Sequence, residues 1–255
     1  MFKKIAAIVL ASLMLCTCLT ACGAKGPSLA DVKEAGVLTV ATSPDFPPFE
    51  SIEGGEVVGI EVEILKLVCQ ELGVELKIEQ MDFDSVLTGV QAAKYDCGMS
   101  GITVNADRQK NMLFTKPYYN AAQVIVVKAD SAITGKADLA DKTVSVQTGT
   151  TAETGCQDAK IAYQGYNANA DAKAALTTGK VEAWIVDNLT AIQMVEEGDG
   201  LKILDEKMTE EPYAFAFAFG SEDMVDEINT ILDKLINDGT IEKIFTDFGE
   251  TYVKP

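Results

Sequence analysis

Residues 143–151 read TVSVQTGTT, and the fold follows from how that run divides. Thr143–Val146 is a short strand. Gln147, Thr148, Gly149, Thr150 and Thr151 then make a polar turn, beyond which a helix opens. The same succession recurs on both sides. Ala183–Val186 (AWIV) is a strand ending in Asp187, followed by the helical stripe Leu189, Ile192 and Val195. Val37–Ala41 (VLTVA) leads into residues 42–50 (TSPDFPPFE), whose three prolines are expected to exclude regular structure. The stripe Ile60, Ile64, Leu67, Val68 and Leu72 then ends at Gly73. Strand Asp96–Met99 leads to Ser100, Gly101, Ile102 and Thr103, and Asn105 is placed to cap a short helix bearing Arg108. Tyr213–Phe219 (YAFAFAF) alternates with period two and reads as one strand, with two terminal helices after it. Strands alternating with helices predict an α/β fold with mostly parallel sheets. In such sheets ligands bind beyond the carboxyl ends of strands. Polar clusters stand after Ala41, Met99, Val146 and Val186, so these four turns point to a cleft.

Composition narrows the chemistry. The 255 residues carry 39 Asp and Glu against 21 Lys and Arg, a net charge of −18, and no histidine. That balance excludes bulk neutralisation of phosphates, hence a nucleic-acid partner. Lack of histidine excludes Ser-His-Asp and Cys-His nucleophilic sites and His-ligated zinc. No cofactor and no metal are expected.

The first 22 residues, MFKKIAAIVLASLMLCTCLTAC, read as an address. Lys3 and Lys4 precede an apolar run, Ile5–Leu15, too short to span a membrane. Leu19-Thr20-Ala21-Cys22 resembles the lipobox of bacterial lipoproteins. Residues 1–21 are therefore expected to be a signal peptide, with Cys22 lipidated and 22–28 a tether; the plainer alternative is a secretory signal with Cys22 incidental. Either way the protein is extracytoplasmic, and in the lipobox reading it is lipid-anchored to the cell membrane. Three cysteines remain, Cys69, Cys97 and Cys156, which read as small core residues. A Cys69–Cys97 disulfide is the alternative.

Arg108 is the only arginine, beside 20 lysines. A planar guanidinium meets a carboxylate bidentately, so a single arginine suggests an anionic ligand, against the alternative of a salt bridge. Thr150 and Thr151 open a helix after Gly149, which suits either a bound carboxylate or plain capping. Asp187 suits an ammonium or a helix N-cap. Phe46, Phe49 and Phe83 lie in loops, where they line a pocket or cover the core.

These pieces, in order, resemble the extracytoplasmic solute-binding proteins of amino-acid ABC transporters, the bacterial extracellular solute-binding protein family 3. The matching stretches are Val40–Ser43 through Phe46-Pro47-Pro48-Phe49-Glu50, Val58–Glu63, Met81-Asp82-Phe83, Gly101-Ile102-Thr103 to Arg108, Phe114–Tyr119, Gln147–Thr151, Ala183–Asp187 and Asp238-Gly239-Thr240. The resemblance implies a two-lobe periplasmic-binding-protein type II fold with two hinge crossovers, near Tyr118–Ala122 and Glu211–Phe215. Lobe 1 would combine 29–120 with 214–255, and lobe 2 would be 121–213. It implies that Arg108, Thr150 and Thr151 hold a ligand carboxylate. Asp187, the Gly101 carbonyl and Thr103 would hold its ammonium, and Phe46 and Phe83 would pack its side chain. Asn105-Ala106-Asp107-Arg108 departs from the family's Thr-Pro-Glu-Arg, keeping the arginine but altering its support. Ser43 stands where binders of cationic amino acids often carry aspartate, and Gln147 where some relatives carry lysine. A glutamine both donates and accepts, so the leading expectation is an uncharged polar L-amino acid such as glutamine or cystine. Alternatives are a cationic amino acid, with Asp45 substituting for the missing aspartate, and a dehydratase-like enzyme on the same scaffold. The implied partners are the ABC permease subunits, for a chain acting as a monomer.

Overall fold

The computed structural model describes residues 25–255. The expected signal peptide and Cys22 lie outside the described residues. Of the expected tether, Gly26 through Ser28 are held against the body. The Gly26 N–H donates to the Phe219 carbonyl at 2.8 Å, and Ser28 caps the helix Leu29–Ala35 through a reciprocal capping box with Asp31.

Two five-stranded sheets carry the fold. The first runs Glu75–Gln80, Val37–Thr42, Cys97–Gly98, Ala216–Phe217, Leu113–Phe114. The second runs Ala162–Tyr166, Thr143–Gln147, Ala183–Asp187, Gln123–Lys128, Leu201–Lys207. In the second sheet, Gln123–Lys128 and Ala183–Asp187 are near-continuous apolar runs, as strands buried on both faces require. In the first sheet Val40 pairs with Ile78 and Cys97, and in the second Val144 pairs with Tyr163 and Ala183. The stripe predicted after residue 59 is the helix Ile60–Leu72, which buries Ile60, Ile64, Leu65, Val68 and Leu72. That face packs with Ile228, Leu232 and Phe245 of the two terminal helices, Glu222–Asn237 and Thr240–Asp247. In the second lobe, Trp184 and Val186 pack on one side of the sheet, and Val144, Val146 and Ile185 on the other.

The sheets are mixed, which corrects the expectation of mostly parallel sheets. Each contains one reversed strand, Ala216–Phe217 in the first and Gln123–Lys128 in the second. The reason is topological. Two short strands, Tyr119–Ala121 and Glu211–Tyr213, join the lobes and pair antiparallel, with Glu211 opposite Ala121 and Tyr213 opposite Tyr119. The strand that follows each crossover starts at the gap between lobes and runs away from it. The neighbouring strands end there.

Three local expectations change. Residues 42–50 are not wholly irregular: Asp45–Phe46 pairs with Glu50–Ser51, since the pairing needs no N–H from Pro44, Pro47 or Pro48. Tyr213–Phe219 is two strands, Glu211–Tyr213 and Ala216–Phe217, rather than one. Its alternation marks no solvent face, because both aromatics and alanines from Tyr213 to Ala218 are buried. The three described cysteines are free and buried, so Cys69 and Cys97 form no disulfide and act as core residues. Among the described residues no helix is long and apolar enough to cross a membrane.

Candidate functional site

On the second lobe, Gly149 takes φ +83° to turn the chain between strand and helix. Thr150 is the N-cap of the helix Thr151–Ala159: its hydroxyl accepts from the Glu153 N–H at 3.4 Å and donates to the Gln147 carbonyl at 2.6 Å. The capping alternative therefore holds for the Thr150 side chain. Backbone N–H groups of the helix's first turn have no partner within the helix. Asp187 stands at the N-cap position of the helix Asn188–Met194, yet its side chain makes no capping bond. Its carboxylate accepts instead from Gln123 Nε2 at 2.9 Å and from the Tyr213 hydroxyl. Burial, and then the negative charge of Glu211, push the Asp187 carboxyl up to about 7.

On the first lobe, Arg108 begins a 3₁₀ turn, Arg108–Lys110, rather than an α-helix. Asn105 Oδ1 accepts from the N–H groups of Asp107 and Arg108, so the predicted cap is made, but as a tight polar turn. The guanidinium donates to the Thr103 carbonyl at 3.0 Å and, across the gap, to the Gly149 carbonyl at 3.1 Å. It also lies over the Phe83 ring, 5.5 Å from the centroid. Among the described residues Arg108 makes no salt bridge, so the salt-bridge alternative is not realised. Burial lowers its pKa to about 10.

Gly101 takes φ +53°, and a Cβ there would come within 2.4 Å of Phe46 Cε1. Its N–H donates to Glu61 Oε2 at 2.9 Å. Gly101→Ala is expected to destabilise the fold by about 1–2 kcal/mol from backbone strain alone. It should also displace the Phe46 ring, which stacks on Phe49 at 5.4 Å. Thermal unfolding compared with wild type checks this, and an unchanged melting temperature would contradict it.

The remaining wall is polar. Ser43 Oγ donates to Asp45 Oδ1 at 3.0 Å, Gln147 Nε2 donates to the same oxygen at 3.2 Å, and the Asn169 N–H reaches Asp45 Oδ2 at 2.6 Å. Burial raises the pKa of Asp45.

Arg108 and Asp187, from different lobes, face one nearly closed cavity. Ser43, Phe46, Phe83, Gly101, Thr103, Gln147, Thr150 and Thr151 line it as well. Ser100 and Gln123 complete the lining and were not among the expected residues. Glu211, also missed, accepts the hydroxyl protons of Thr103 and Thr151. Gln123 opens a reversed strand and Glu211 opens a crossover, so a search of strand carboxyl ends passes over both. Their only sequence signal is nearness to the expected hinges. A larger, more open groove of about 540 Å³ lies around Lys128, Ile133 and Lys142, and contains none of these converging groups.

With this geometry established, comparisons place the chain among known proteins. Residues 38–251 match the model of the bacterial extracellular solute-binding proteins, family 3. The chain is 32% identical over 233 residues to the arginine-binding extracellular protein ArtP of Bacillus subtilis, covering 89% of this chain and 90% of that protein. It superposes on a mutant of ArgBP from T. maritima with TM-score 0.83 at 34% identity, covering 87% of this chain and 98% of that one. An ancestral arginine-binding protein solved bound to glutamine gives TM-score 0.80 at 32% identity, covering 84% and 97%.

Proposed function

Because this chain belongs to the bacterial extracellular solute-binding proteins, family 3, we propose that it captures an L-amino acid by lobe closure for an ABC transporter. The ligand's carboxylate meets the Arg108 guanidinium and the open amides at the start of the Thr151–Ala159 helix. Its ammonium meets Asp187. A zwitterion spanning these two groups ties one lobe to the other, and the bonds strengthen as water leaves. The closed surface is then what the permease subunits recognise. Lipidation at Cys22 would keep the protein beside that permease; Leu19-Thr20-Ala21-Cys22 supports it.

Within that reading the ligand is cationic, arginine first. Charge balance carries this choice. Asp187 and Glu211 are buried at the cleft, and Asp45 lies directly behind Ser43 and Gln147, against the single cation Arg108. A ligand with net positive charge brings the enclosed groups nearer neutrality, whereas a zwitterion leaves an uncompensated negative excess. Arginine-binding names among the relatives agree with it.

One observation favours the uncharged reading. Both Asp45 oxygens already take donors from Ser43, Gln147 and Asn169, which leaves an amide and a hydroxyl to meet the ligand's side chain. Calorimetry with L-arginine, L-lysine, L-glutamine and L-cystine separates the two. Arginine is expected to bind at least about tenfold tighter than glutamine, a difference of about 1.4 kcal/mol. The reverse order overturns the cationic choice, and no heat from any amino acid overturns the amino-acid reading.

A further inference from the structure

Glu211 is buried at the start of the crossover strand Glu211–Tyr213. Its Oε2 accepts from Thr103 Oγ1 at 2.5 Å on one lobe and from Thr151 Oγ1 at 3.0 Å on the other. A hydroxyl has one proton to donate and two lone pairs. With both protons committed to Glu211, neither threonine side chain can donate to a ligand carboxylate; each offers lone pairs only. One lone pair of Thr151 is taken by Gln123 Nε2 at 3.2 Å. The other end of that amide, Gln123 Oε1, is buried without a partner. Acceptors thus collect on one side of the cleft, while Arg108 and the helix amides supply donors on the other.

Resting on the amino-acid reading above, we propose that Glu211 is a positioning residue of the ammonium subsite. It draws the protons of Thr103 and Thr151 toward itself, turns their lone pairs to the ligand's ammonium, and sets a second negative charge beside Asp187. Thr151, expected from the resemblance to help hold the carboxylate, gives that group only its backbone N–H. The subsite accordingly demands a protonated amine and rejects α-hydroxy acids of the same shape, which cannot fill three acceptors.

The groups facing Asp187 decide how this is read out. Glu211 and Tyr213 face it from one crossover, Tyr119 from the other, Gln123 from the reversed strand and Arg108 from the 3₁₀ turn across the cleft. Of these, Glu211 is the carboxylate that raises the proton affinity of Asp187. Binding of L-arginine, or of L-glutamine should that be the ligand, is measured from about pH 5 to about pH 9 on wild type and Glu211→Gln. Wild-type affinity is expected to fall on the acid side with a midpoint near 7, where Asp187 protonates. In Glu211→Gln the midpoint moves down by about one unit and alkaline affinity drops about tenfold. A purely structural role would lower affinity equally at every pH and leave the midpoint in place. Unchanged affinity and midpoint in the variant, with wild type binding normally, overturn the proposal. Wild type binding no amino acid overturns the underlying reading instead. Should Glu211→Gln not fold, Glu211→Asp, which withdraws the carboxylate from both threonine hydroxyls, serves as the test. A smaller preference for the amino acid over its α-hydroxy acid analogue supports the proposal, and an unchanged preference overturns it.

Discussion

Replacing Arg108 with alanine is expected to weaken amino-acid binding by about 10²–10⁴-fold, a loss of about 3–5 kcal/mol. The size follows from what surrounds the guanidinium. It is half-buried, has no ion pair among the described residues, and is held by two carbonyls, Thr103 on its own lobe and Gly149 on the other. Thr103 holds the fork on its own lobe, and Gly149 joins it as the lobes close. Without it, the ligand's carboxylate would be enclosed beside Asp187 and Glu211 with only backbone amides to face. Arg108→Lys should lose much of the same energy, because a single ammonium cannot hold both carbonyls and also pair with a carboxylate. Calorimetry on both variants checks the order, with alanine weakest and lysine between it and wild type. Unchanged affinity in Arg108→Ala would mean that the carboxylate is held elsewhere.

Asp187→Asn is expected to act in opposite directions on binding and on stability. Binding should fall by at least about 10²-fold, since the ammonium loses its charged partner. The ligand-free protein, by contrast, should become more stable at pH 8. The sign is fixed by linkage. In the folded state the Asp187 carboxyl titrates at about 7, above its ordinary value of 3.8. The native state therefore binds the proton more tightly than the unfolded chain. Its contribution to stability is fully present below about 4 and is lost as the pH rises to about 7. Above that, the buried charge opposes folding by an amount on the order of 4 kcal/mol. Asparagine removes the charge and still accepts from Tyr213. Gln123 can turn its amide so that Oε1, now without a partner, accepts from the new side chain. A melting temperature several degrees above wild type at pH 8, shrinking toward zero near pH 4, is the expected result. A variant that melts lower than wild type at both values would contradict it.

The alternation of strand, polar turn and helix was sufficient to place the cleft, because strand carboxyl ends converge in an α/β sheet and polar residues there have no core to enter. Ten residues expected from the sequence and the family resemblance line one cavity. What could not be read was direction. Gln123 and Glu211 begin strands rather than end them, so their approach to the cleft depends on the chain crossing between lobes. Nor could the sequence divide the duties of neighbouring hydroxyls. Thr150 and Thr151 look equivalent in TGTT, yet Thr150 is occupied by the Gln147 carbonyl and the Glu153 N–H, and Thr151 by Glu211 and Gln123. The alternating run YAFAFAF misled for a related reason. Period two signals a half-exposed strand only where one face meets water, and here both faces are enclosed.

The pairing of Ala121 with Glu211 brings the two joints of the second sheet's lobe side by side. Everything between those joints is topologically a cassette. It can be lifted out and replaced by the corresponding piece of a relative without rerouting the rest of the chain. Gln147, Thr151 and Asp187 would travel with such a transplant, while Arg108 and Phe46 would stay behind. Recombination at two neighbouring points could therefore re-pair ligand-contacting halves in one step, a route to new selectivities that stepwise substitution would have to cross residue by residue.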